Sequence, residues 1–194
     1  MRKRRLMGVL IFAIPALLAA MTIVVAGDGG RNNRFNSNRM NGYQENQAVS
    51  TTGEGSFTAE LDGDEIHYTL TYGALQGGAV TQAHVHLGRR AVNGGIIAWL
   101  CEGTLASPSA STPTCPPATG GSVSGTITAL EVIGPTGQGV APGEFAELIA
   151  ALRAGAVYAN VHTATFGGGE IRGQVNEKGA KDADKLDKSD DDED

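Results

Sequence analysis

Two histidines one residue apart are the first feature with chemical content. His84 and His86 flank Val85 in the run Ala-His-Val-His-Leu-Gly. Residues i and i+2 of a strand share a face, so both imidazoles project to one side, with Val85 and Leu87 on the other. A third histidine, His162, ends the run Tyr-Ala-Asn-Val-His at 158–162. There Val157, Ala159 and Val161 form the apolar set, and Tyr158, Asn160 and His162 the opposite one. If the two strands are neighbours, three imidazoles converge. Imidazole nitrogen suits copper, zinc, iron and nickel, and three nitrogens are the usual minimum for a tight site. The expected metal set is therefore His84, His86 and His162, with copper first and zinc next. The competing reading is ordinary hydrogen bonding, because neutral imidazole serves that purpose equally well. His67 also lies opposite its strand's apolar residues, but nothing places it near the other three.

Glu170 and Arg172 share one face of the last apolar segment. One expectation is that they orient a histidine from behind. The alternative is a surface ion pair of little energetic value. Catalytic motifs are lacking: no Gly-x-Ser-x-Gly, Walker-type loop, Gly-x-Gly-x-x-Gly or His-Glu-x-x-His occurs. No catalytic residue is assigned, and the reading favours a non-enzymatic protein.

The elements that must position these residues are strands. Glycine supplies 28 of 194 residues and only 10 are aromatic, which favours a turn-rich all-β fold. Phe57, Ala59 and Leu61 alternate with polar residues, as do Ile66, Tyr68 and Leu70, with Asp62-Gly63 as the turn between. Further strands are expected at 79–87, 95–101, 122–133, 156–163 and 170–175, with Asn93-Gly94 as a turn. One segment has a different period. Phe145, Leu148, Ile149 and Leu152 fall at i, i+3, i+4 and i+7, predicting one short helix near 143–154.

Both ends differ from the middle. Arg2, Lys3, Arg4 and Arg5 precede an apolar run at 8–26, which reads as a signal peptide cleaved after Ala26 or retained as a signal anchor. Residues 27–49 are Asn-, Gly- and Arg-rich and read as a flexible linker. Residues 176–194 read as a disordered acidic tail. The folded domain is then 50–175. Its net charge is −6, which argues against nucleic-acid binding. Membrane association is expected only if the leader stays as an anchor. An exported chain, in the periplasm, on the cell surface or secreted, suits a disulfide between Cys101 and Cys115.

Taken in order, Ala-His-Val-His-Leu-Gly (83–88), Asn-Gly (93–94), Leu-Arg-Ala-Gly (152–155), Tyr-Ala-Asn-Val-His-Thr (158–163) and Gly-Glu-Ile-Arg-Gly-Gln (169–174) resemble the CHRD (chordin-type) domain family. The resemblance spans about 53–175. It implies an immunoglobulin-like β-sandwich or barrel with a distant likeness to copper–zinc superoxide dismutases, and an exported binding or structural module of the cell envelope. The implied partner is an extracytoplasmic protein or envelope component. Those dismutases bind copper through a His-x-His strand pair, which His84 and His86 match. They also need a fourth copper histidine, a bridging histidine and a zinc site with an aspartate. This sequence has only His67 left over, which argues against dismutase activity.

Overall fold

The computed structural model describes residues 32–178. Eight strands form one antiparallel sheet that curls into a nearly closed barrel. They are β1 (Arg34–Asn41), β2 (Glu54–Asp62), β3 (Glu65–Gly73), β4 (Val80–Leu87), β5 (Ile96–Glu102), β6 (Gly120–Ile127), β7 (Val157–Thr163) and β8 (Ile171–Glu177). Among the described residues one α-helix, α1 (Phe145–Arg153), lies between β6 and β7. The spatial order is β5-β4-β7-β8-β1-β2-β3-β6. The expected all-β fold with one short helix is what the chain adopts.

Alternation places the core inside the barrel. Phe57, Leu70, Val85, Val161 and Ile171 are each no more than 2% exposed. Each such side chain contributes about 1.5–3 kcal/mol by leaving water. The β2–β3 hairpin closes through a two-residue turn in which Gly63 takes φ +58°, and Asp62 pairs with Glu65. Helix α1 buries Phe145, Leu148, Ala151 and Leu152, and Gly155, just past its end, takes φ +60°.

β5 and β6 are the two ends of the sheet order and do not pair with one another. The Cys101–Cys115 disulfide, with Cα atoms 4.9 Å apart, ties β5 to the segment that leads into β6. Cys115 N–H donates to Glu102 O at 2.8 Å, and the Tyr68 hydroxyl donates to Leu100 O at 2.6 Å.

Four expectations need correction. Residues 34–41, inside the stretch read as a linker, form β1, inserted between β8 and β2. Phe35, Ser37 and Met40 are its buried positions, and a bulge between Ser37 and Met40 shifts the inward phase by one residue. A small polar residue at one core position and an extra residue before the next conceal the alternation. Residues 122–133 are not one strand: β6 ends at Ile127, and Thr128 with Glu131 forms a capping box on the 3-10 turn Ala129–Glu131. The turn before β5 is not at Asn93-Gly94 but at 89–92, where Val92 N–H donates to Arg89 O and Ala91 takes φ +56°. Finally, Asn176 and Glu177, assigned to the tail, complete β8. The leader at 1–26 and the rest of the acidic tail lie outside the described residues.

Replacing both cysteines with serine is expected to lower unfolding stability by about 3 kcal/mol, the chain-entropy value for a loop of this length. The β circular dichroism should survive. A urea midpoint unchanged from the oxidised protein would show that the closure is carried by the surrounding hydrogen bonds alone.

Candidate functional site

The site lies on the outer face of β4, β7 and β8. The register sets His84 opposite Asn160 and Asn160 opposite Arg172. The next row sets His86 opposite Tyr158 and Tyr158 opposite Gln174, and a third sets Gln82 opposite His162. The two histidine-bearing strands are therefore neighbours, as convergence requires. His84, His86 and His162 each present a ring nitrogen within 4.8 Å of the others. His84 Nδ1 is 3.3 Å from His162 Nε2.

This outer face is not open to solvent. Two loops roof it, and His84, His86 and His162 are 0, 7 and 6% exposed. From the 88–95 loop, Gly94 O accepts from His86 Nδ1 at 3.0 Å. From the 164–169 loop, Gly167 O accepts from His162 Nδ1 at 3.0 Å. Each bond fixes the tautomer and leaves the Nε2 lone pair facing inward. His84 Nε2 and His86 Nε2 are buried with no hydrogen-bond partner. The roof approaches the strands closely enough to require glycine. A Cβ on Gly94 would lie 1.6 Å from Leu87 O, and one on Gly169 2.3 Å from Glu45 Oε1.

Aromatic rings hold the imidazoles from the sides. His86 stacks on Tyr158 with centroids 4.7 Å apart, and His84 meets Trp99 edge-on at 4.4 Å. Arg172 lies 3.4 Å from the Tyr158 ring centroid, and the strand order puts that ring between Arg172 and His86. Arg172 is fixed in turn by Arg89 O and Val92 O, both 2.9 Å from Nη2. It thus supports a histidine indirectly, through the tyrosine.

Glu170 does not join this arrangement, nor does it pair with Arg172. Its buried carboxylate accepts from Thr51 Oγ1 (2.6 Å), Thr163 Oγ1 (2.8 Å) and the backbone N–H groups of Gln76 (2.6 Å) and Gly77 (2.9 Å). Burial raises its proton affinity, but these four donors outweigh burial and hold it below the usual carboxylate range. The expected Glu170–Arg172 pair is replaced by two separate anchors. His67 stays apart on β3, exposed and hydrogen-bonded to Thr126 Oγ1.

Sequence reasoning missed Glu45. It comes from the strap after β1, where no periodicity marks it, yet it is 8% exposed and Arg172 and Asn160 act on it. Asn160 was placed on the right face without a role. A depression of about 250 Å³, lined by Glu45, Asn93, Phe166 and residues 167–169, abuts the cluster through Glu45 and Gly167. Another depression, about 690 Å³ and lined by Arg34, Thr58, Glu60, His67 and Thr126, contains no convergent donor set among the described residues.

An antiparallel β-barrel with a buried three-imidazole cluster on its outer face defines the class of protein. The CHRD domain model matches residues 37–175, and the chain belongs to that family. The match begins within β1, which extends the domain beyond the 50–175 read from periodicity. Neither a curated protein nor a solved structure matches the chain.

Burial sets the titration of the site. It is the main cause that pushes His84 down to about 2 and His86 to about 4, and it lowers His162 as well. Burial also pushes Glu45 up to about 7, against the opposing pull of Arg172 and Asn160. Unfolded histidines take protons near 6.5, whereas the folded His86 resists to about 4. Between those values the unfolded chain binds more protons, so stability falls as the pH is lowered. Glu45 acts in the opposite sense: its contribution is full below 4.5 and lost as pH rises through about 7. Metal-free protein should therefore lose stability from pH 6.5 to 4, by up to about 1.4 kcal/mol per pH unit for each histidine. Glu45→Gln should steepen the loss between pH 7 and 4.5. Denaturant midpoints that do not change over this range would contradict the assignment.

Proposed function

We propose that this CHRD protein is an exported, non-enzymatic module of the cell envelope that binds a late first-row metal ion through His84, His86 and His162. Copper is the first choice and zinc the second. The observation that carries the reading is the convergence of three buried imidazoles, two of them with Nδ1 committed to a backbone carbonyl. Metal-binding histidines characteristically give their other ring nitrogen to such a partner. The donor set suits the ion, because imidazole nitrogen is a borderline ligand and affinity rises along the first row to a maximum at copper. The buried Nε2 of His86 has no hydrogen-bond partner, which is costly in a dry site unless something occupies it. Bound there, the ion would supply either a structural cross-link between β4 and β7 or, as copper, one-electron chemistry.

The chain's own groups perform the rest. Gly94 and Gly167 aim the rings. Tyr158 and Trp99 keep water off their faces. Arg172 sits behind Tyr158, so its charge is spaced from His86 by the ring. Glu45 provides a nearby carboxyl. Burial also keeps the imidazoles unprotonated well below neutral pH, so they are available as ligands in an acidified envelope. The disulfide and the family are compatible with an extracellular site of action.

The purified protein should hold near-stoichiometric copper or zinc by mass spectrometry, and His84→Ala/His86→Ala should hold none. Trp99 is the single tryptophan and packs on His84, so copper(II) should also quench the intrinsic fluorescence. No metal in either protein after incubation with both ions would end this reading and leave the cluster as a structural network.

A further inference from the structure

We propose that Asn160 supplies the fourth ligand, through its side-chain oxygen, and that Glu45 holds the amide in the orientation this requires. The proposal rests on the three-imidazole metal reading and extends it to a residue outside the histidine set.

The argument starts from proton counting. His162 gives its Nδ1–H to Gly167 O, so its Nε2 is a lone pair. Asn160 Oδ1, also an acceptor, lies 3.1 Å from that Nε2. Two acceptors face one another with no proton of their own between them. His84 Nδ1, 3.3 Å from the same Nε2, can donate there but leaves Asn160 Oδ1 unanswered. Two lone pairs at hydrogen-bonding distance in a dry site repel, and a cation between them turns repulsion into coordination.

With Glu45 ionised, the amide cannot escape by turning over. Its Nδ2 side faces Glu45: a Cβ built on Gly169 would lie 2.3 Å from Glu45 Oε1 and 2.9 Å from Asn160 Nδ2, and the Asn160 side chain lowers the proton affinity of that carboxyl. Reversing the amide would set its oxygen against the carboxyl oxygens. Glu45 therefore selects the orientation that directs Oδ1 at the histidines. Its own Oε1 is otherwise buried without a partner. Asn160 also lies beside His86, whose proton affinity its side chain affects.

The spacing fits a coordination shell. Metal–ligand bonds near 2.0–2.1 Å at tetrahedral angles put neighbouring ligand atoms about 3.3 Å apart. The separations from His162 Nε2 are 3.3 Å to His84 Nδ1 and 3.1 Å to Asn160 Oδ1. Position also fits, since Asn160 is paired with His84 across β4 and β7 and is two residues from His162 on one strand face. The result is a neutral three-nitrogen, one-oxygen set.

The test uses cobalt(II) as a visible reporter and zinc for affinity. Wild-type protein should bind cobalt with the intense visible bands of a four-coordinate tetrahedral ion. Asn160→Leu should still bind through three imidazoles, but with zinc affinity at least about tenfold weaker, the usual scale for a lost contact at a metal site, and with altered cobalt bands. Asn160→Asp, which has oxygen at both positions, should keep the four-coordinate spectrum and bind zinc at least as tightly as wild type. Thermal melts of the metal-free variants separate ligand loss from misfolding, and the aspartate variant decides the matter if the leucine variant does not fold. Unchanged affinity and bands in Asn160→Leu, or loss of the four-coordinate bands in Asn160→Asp, would overturn the role of Asn160 and leave the three-imidazole site standing. Failure of wild-type protein to bind either ion would instead remove the reading beneath it.

Discussion

Two backbone carbonyls set the chemistry of this protein. Gly94 O and Gly167 O each take the Nδ1 proton of a buried histidine and so decide where its lone pair points. Everything else at the site follows from the need to bring those carbonyls down onto a sheet face. The roof loops must approach the strands, so glycine occupies 94 and 169, where a Cβ would collide. Gly94 is held by the hydroxyl of Tyr158, whose ring lies against His86 and Arg172. Arg172 in turn ties down the loop that carries Gly94 through Arg89 O and Val92 O. The loop, the ring and the guanidinium thus position one another.

The cost of this arrangement is burial of polar groups on a second face of the sheet. Asn160, Gln174, Arg172 and the three histidines are all nearly inaccessible. Most of their atoms are satisfied by loop carbonyls, as Gln174 Nε2 is by Gly88, Gly155 and Val157. Buried atoms without a hydrogen-bond partner include His84 Nε2, His86 Nε2, Glu45 Oε1, Arg172 Nη1 and Gln174 Oε1.

The sequence made the strand faces legible because alternation is a two-residue rule and each histidine falls on the polar phase. It therefore separated Tyr158, Asn160 and His162 from Val157, Ala159 and Val161, and the structure keeps that division. The adjacency of β4 and β7 was not readable, since order in an antiparallel sheet depends on long-range pairing. β1 was hidden by its bulge and by Ser37 at an inward position. Glu45 was hidden for a related reason: it is carried by a strap whose shape comes from what it packs on. Glu170 and Arg172 were expected to share a strand face, but β8 begins at Ile171, and Glu170 finds its donors in the segments around Thr51 and Gly77. Local pattern fixes which way a side chain points; only the closed barrel decides what it meets.

The most direct test of this account is the protonation state of each ring nitrogen, read by long-range proton–nitrogen-15 correlation of the histidine side chains before and after zinc addition. Metal-free protein should show His86 and His162 as Nδ1–H tautomers. Zinc should move Nε2 of His86 and His162 and Nδ1 of His84, while exposed His67 stays unchanged and acts as the internal control. Spectra in which the three buried imidazoles do not respond to zinc, or in which His86 and His162 carry their proton on Nε2, would contradict the claim that two carbonyls preset a metal site.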